Sequence, residues 1–139
     1  MKRCYVAIAM SISLIFGIGS LRAQSDIKHP IDIERENCHN SSATQTTMDM
    51  VDCELTAAEK WDQELNKYYK ALMSQLNKEQ QEHLRQSQRK WIAFRDAEFI
   101  FSEKIYSDGS MGGLSDAKTR ADFIRSRVLQ LKDYLESIQ

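Results

Sequence analysis

The stretch "VDCELTAAEKWDQELNKYYKALMSQL", residues 51–76, decides the fold. Its apolar residues Val51, Leu55, Ala58, Leu65, Tyr69, Leu72 and Leu76 recur at alternating steps of three and four, with Asp62 taking one place in the series. That period lays one apolar stripe along a helix, and neither proline nor glycine interrupts it. The spacing predicts a helix from about Thr47 to Leu76.

Working outward, Asn77 with Gln80 three residues on forms a capping-box signature for a second helix. Leu84, Trp91, Phe94, Phe101 and Ile105 mark its expected buried face, running to about Tyr106. The segment "SDGSMGGLSD", residues 107–116, gathers Gly109, Gly112 and Gly113 without periodicity and reads as a loop. Ser115 or Asp116 can then cap a third helix carrying Ala117, Ala121, Ile124, Val128, Leu131, Leu135 and Ile138. Amphipathic helices that cannot bury a face alone pack together. The expected architecture is all-α, a small antiparallel bundle of about three helices over residues 47–139.

Two positions break the apolar pattern. Asp62 interrupts the first stripe, and heptad steps from Leu84 lead through Gln88 and Trp91 to Arg95. Across an antiparallel pair Asp62 would meet Arg95, leaving Gln88 to bond to backbone or to Asn66. A buried charge is costly unless paired, so these four groups read as a structural polar core that fixes helix register. The sharper alternative is a carboxylate site, but acid–base work on a glycoside needs a concave cleft that a narrow bundle rarely supplies. No nucleophile with a base at recognisable spacing, no phosphate loop and no cofactor motif points to an enzyme.

The chain opens "MKRCYVAIAMSISLIFGIGSLRAQS", with Lys2 and Arg3 ahead of an apolar run from Val6 to Ile18 and then Leu21-Arg22-Ala23. This order is that of a cleavable secretory signal, residues 1–23, with a cut after Ala23. The apolar run falls below the roughly 18 residues that a spanning helix wants, and no second such run follows. The expected location is the periplasm or outside the cell, with no membrane attachment after cleavage.

Removing Lys2, Arg3 and Arg22 leaves 16 basic against 20 acidic residues, a formal net charge of −4 on 116 residues. Such a balance excludes the basic stripe of a nucleic-acid binder and suits a basic partner. Residues 24–46 are polar, contain the only proline, Pro30, and read as an irregular leader. Cys4 would leave with the signal, so Cys38 and Cys53 remain as a pair in an oxidising space. A bridge between them would close a loop of about 15 residues, contributing about 3 kcal/mol, and would tether the leader. The rival is a metal site from Cys38, His39, Cys53 and His29, for which no ligand spacing speaks.

Cys38, Met48, Cys53, Ala58, "WDQELNKYYKAL", "LRQSQRKWIAFRDAE", "GSMGG" and "RSR" before Leu131 together resemble the LprI-type lysozyme-inhibitor domain, a family of secreted bacterial helical domains. The most specific parts are Asp62-x-Glu64-Leu65-Asn66 and Gln88-x-x-Trp91-x-x-x-Arg95-Asp96, and the resemblance spans about residues 38–135. Where the family usually carries a second pair of cysteines this chain has Phe99 and Thr119, and Ile124 replaces a threonine. The resemblance implies non-covalent inhibition of a lysozyme, with no cofactor. The glycine-bearing segment with Asp108, Ser110, Met111 and Asp116 is the expected partner-binding loop. The competing reading is a non-catalytic envelope module that binds another protein or peptidoglycan.

Overall fold

The computed structural model describes residues 28–139, so the signal expected over residues 1–23 lies outside the described residues. Four α-helices follow one another: α1 (Pro30–His39), α2 (Thr47–Gln75), α3 (Lys78–Ile105) and α4 (Gly109–Ser137). Among the described residues there is no strand. The all-helical expectation holds, but the helix count is four rather than three.

The additional helix corrects the reading of an irregular leader. Pro30 sits at the first helical position, where its missing N–H is no loss, and the His29 ring caps the end by accepting from the Ile31 N–H at 3.3 Å. Asp32 in the first turn and His39 in the last suit the helix dipole. Alone, ten residues would not hold a helix in water. Here tertiary contacts hold it: Ile31 is buried in the core, and the Cys38–Cys53 disulfide ties its end to α2 with the Cα atoms 5.8 Å apart.

Helices α2 and α3 begin as their sequences indicate. The Thr46 hydroxyl accepts from the Asp49 N–H while Asp49 accepts from the Thr46 N–H, and Asn77 and Gln80 exchange the same pair of bonds. Residues 76 and 77 make the turn, and Gln81 seals it by donating to the Met73 and Leu76 carbonyls.

The backbone of the fold is the pair α2 and α4, which run parallel. Small side chains at Ala57, Ala117 and Ala121 are buried there, while Trp61, Leu65, Leu72, Ile124, Val128 and Leu131 build the core. Helix α1 lies antiparallel along one side of this pair and α3 along the other. Because α1 also covers α2, the buried face of α2 is rotated from the expected stripe. Trp61 is fully buried, whereas Leu55 is exposed and Asp62 only half-buried.

The expected glycine loop is largely helix. Only Ser107 and Asp108 separate Tyr106 from α4, and Gly109 turns the chain with φ of 74°, in the left-handed region. Gly112 is buried where α4 crosses the end of α3. A Cβ there would lie 2.1 Å from the Tyr106 carbonyl oxygen, so only glycine lets the two backbones approach.

Candidate protein-binding end of the α3–α4 pair

Beyond the α2–α3 turn, α3 leans on α4 rather than α2. The contacts come from one edge of α3. The Trp91, Phe94 and Phe99 rings surround Phe123, with centroids 5.7, 5.5 and 5.9 Å away, and the Ser102 hydroxyl donates to Asp116 at 2.6 Å. A second apolar lane runs along the neighbouring edge, sharing Phe94 with the first, and is largely uncovered among the described residues. Phe94, Phe101 and Ile105 were expected in the core, yet 55%, 58% and 57% of their surfaces are exposed. One helix neighbour covers one lane, and among the described residues α4 is the only helix packed on this half of α3.

At the short turn that follows, Tyr106 and Met111 are exposed as well. Asp108, also exposed, lies in the turn between Tyr106 and Met111. Asp108 sits at the start of α4 without a side-chain capping bond, so its carboxylate points to no helix N–H. A contiguous apolar surface rimmed by polar groups marks a protein-contact site on a small domain.

Of the four expected loop residues, Asp108 and Met111 are at this surface and Ser110 lies in the first turn of α4. Asp116 is elsewhere in role: its carboxylate is half-buried, held by Ser102 on one oxygen and by Arg120 Nε at 2.7 Å on the other. Arg120 also lies over the Phe99 ring at 4.9 Å. Phe99 and Thr119 are the positions at which the resemblance leads to the expectation of a second cysteine pair. Here the aromatic and cation contacts of Phe99 with Phe123 and Arg120 join the two helices.

The expected polar core is not assembled as a unit. Asp62 does not meet Arg95: the Asp62 carboxylate and carbonyl accept from Asn66 Nδ2 at 3.4 and 2.8 Å, and Arg95 pairs with its own neighbour Asp96 at 2.7 Å while lying over Trp91. The α3 helix diverges from α2, leaving the two side chains without contact. Asn66 and Gln88 do come together, as part of the lining of a groove between α2 and α3.

Two buried charge clusters went unread in the sequence. Arg127 is 6% exposed, and it donates to Gln88 Oε1 at 3.1 Å, to Ser87 Oγ at 3.2 Å and to Gln130. Among the described residues no carboxylate pairs with it, and burial lowers its affinity for the proton. The second cluster binds α1: Arg35 bridges Glu54 of α2 and Asp122 of α4, His39 meets Glu54 at 2.7 Å, and Arg125 grips Asp32 through both oxygens. Burial works to raise the Asp122 carboxyl, but bonds from Lys118 and Arg35 outweigh it and hold the group below its usual range. The "RSR" stretch was the available signal, since Arg125 and Arg127 leave α4 on opposite sides, toward α1 and α3.

Taken together, these features define a small all-helical domain with a disulfide-tethered first helix and exposed apolar side chains at the α3–α4 end. The chain belongs to the family described as lysozyme inhibitor LprI, which it matches over residues 38–131. Among solved structures it is similar to an uncharacterised protein from Burkholderia thailandensis, with a TM-score of 0.75 and 24% identity over 80% of this chain. That likeness is one of fold, and this chain spans 56% of the length of that protein. Comparison with curated proteins finds no match.

Proposed function

We propose that this protein is a lysozyme-inhibitor-like protein of the periplasm or extracellular space, acting by non-covalent binding through the α3–α4 end. The supporting observation is the apolar lane of Phe101 and Ile105, exposed among the described residues, with exposed Met111 and Asp108 at the short turn beside its end. The apolar lane supplies area for desolvation, and the Asp108 carboxylate can approach a basic substrate cleft. A formal charge of −4 on residues 24–139 favours encounter with the commonly basic animal lysozymes. Family membership supports the partner class. The disulfide suits the oxidising compartment to which the proposed signal, residues 1–23, would deliver the chain.

The test is lysis of a peptidoglycan suspension by chicken-type, goose-type and invertebrate-type lysozymes, with and without the folded protein at micromolar excess. Dose-dependent inhibition of one class, abolished in Phe101→Asp/Met111→Asp with unchanged helicity, is the expected result. If the folded protein inhibits none of the three, the envelope-module reading takes its place.

A further inference from the structure

The groove between α2 and α3, of about 350 Å³, lies away from the α3–α4 end and has a different chemistry. Leu65, Tyr69 and Ile92 give it apolar walls, and Arg85 and Arg89 stand at its edge with Asn66 and Gln88. Arg85 pairs with Glu82 at 3.0 Å. Arg89, among the described residues, forms no ion pair within bonding distance, although Glu82 lies close enough to feel its charge.

Gln88 carries the decisive geometry. A guanidinium can only donate, so the atom that Arg127 Nε meets at 3.1 Å must be the Gln88 carbonyl oxygen. That contact fixes the amide orientation, and the Gln88 NH2 has no protein acceptor among the described residues. A half-buried side chain that lines the groove thus presents a fixed donor. Behind it the buried Arg127 has only neutral acceptors, so its charge adds to those of Arg85 and Arg89. Asp62, bonded to Asn66 one turn away, sets the opposite limit: a ligand with several negative charges would meet repulsion there.

We infer that this groove binds a small monocarboxylate bearing an apolar group, with the carboxylate on Gln88 Nε2, Arg85 and Arg89 and the apolar part against Leu65, Tyr69 and Ile92. A free peptide C-terminus with an aliphatic side chain has this chemistry. Charge-assisted bonds from arginine give the carboxylate its specificity, and the open apolar walls accept a group of branched-chain size.

The test uses N-acetylleucine, N-acetylleucinamide and inorganic sulfate as probes of the purified, disulfide-bonded protein, followed by NMR of the Asn and Gln side-chain amides and the backbone. N-acetylleucine is expected to shift the Gln88 and Asn66 side-chain signals and the Ile92 amide, with a millimolar Kd suited to about a dozen heavy atoms. The amide, which keeps the shape and loses the charge, should bind about tenfold more weakly or worse. Sulfate should leave the Ile92 signal in place. Arg89→Gln, an exposed change with no bond to lose, should weaken N-acetylleucine about tenfold without altering the spectrum elsewhere. Equal binding of acid and amide, shifts scattered over surface lysines, unchanged affinity in Arg89→Gln, or no saturable shift at all would each overturn the inference. None of these readouts involves a lysozyme, so the outcome stands apart from that of the inhibition assay.

Discussion

At the scale of single residues, two arginines on facing helices have opposite weights. Arg127 is buried, its stem packed and its guanidinium serving Gln88, Ser87 and Gln130. Arg127→Ala leaves a void and orphaned polar groups, and should lower unfolding free energy by about 2–4 kcal/mol in urea titration. Arg95 pairs with an exposed neighbour on its own helix, and Arg95→Ala should cost less than about 1 kcal/mol in the same measurement. Equal losses would contradict the assignment. Gly112→Ala should also be destabilising, by about 1–3 kcal/mol, because its methyl group would meet the Tyr106 carbonyl oxygen. Gly113→Ala meets open space and serves as the control in thermal melts.

Among the elements, α1 depends most on the rest of the molecule. The double change Cys38→Ser/Cys53→Ser removes its covalent tie and should lower stability by about 3 kcal/mol, measured by urea unfolding beside the oxidised parent. Acid should loosen the same helix from its other end. Burial among the Trp61 ring and its neighbours lowers the His29 pKa from its ordinary 6.5, against the attraction of Glu64 and Asp32 and with help from Lys132 and Arg125. The folded state therefore prefers neutral His29, whose Nδ1 accepts the cap bond from Ile31. This contribution is whole above about pH 6.5 and is lost as pH falls through the lower folded value. The urea midpoint should fall from pH 7 to pH 5 more steeply in the parent than in His29→Asn, which keeps a cap acceptor and does not titrate.

Across the whole molecule, Asp108 stands at the turn of the apolar α3–α4 end, and Arg85 and Arg89 border the α2–α3 groove. On the proposed reading, a net negative chain meeting a basic lysozyme would associate under electrostatic steering. Raising salt from about 0.02 to 0.2 M should therefore slow association severalfold in stopped-flow fluorescence while changing dissociation little. A salt-independent on-rate would remove charge from the account of recognition.

The helical class, the approximate limits of α2 and α3 with the Asn77–Gln80 capping box, and the Cys38–Cys53 pair were legible in the sequence, because period, cap chemistry and cysteine count are local or compositional properties. Family membership was legible too, carried by Asp62, Asn66, Gln88 and Arg95 as a pattern. The sequence alone left open which of two adjacent lanes on α2 and α3 would be buried. Trp61 went inside because α1 folds back over α2, and Phe101 stayed outside because, among the described residues, α4 alone meets that half of α3. Tertiary structure also turned the glycine segment into helix, since Gly112 answers a backbone approach rather than a need for flexibility. It set Asn66 and Gln88 beside a groove and gave Arg127 its place behind them. A helix has a periodic face by its own geometry, but what covers that face is decided only when the neighbours are in place.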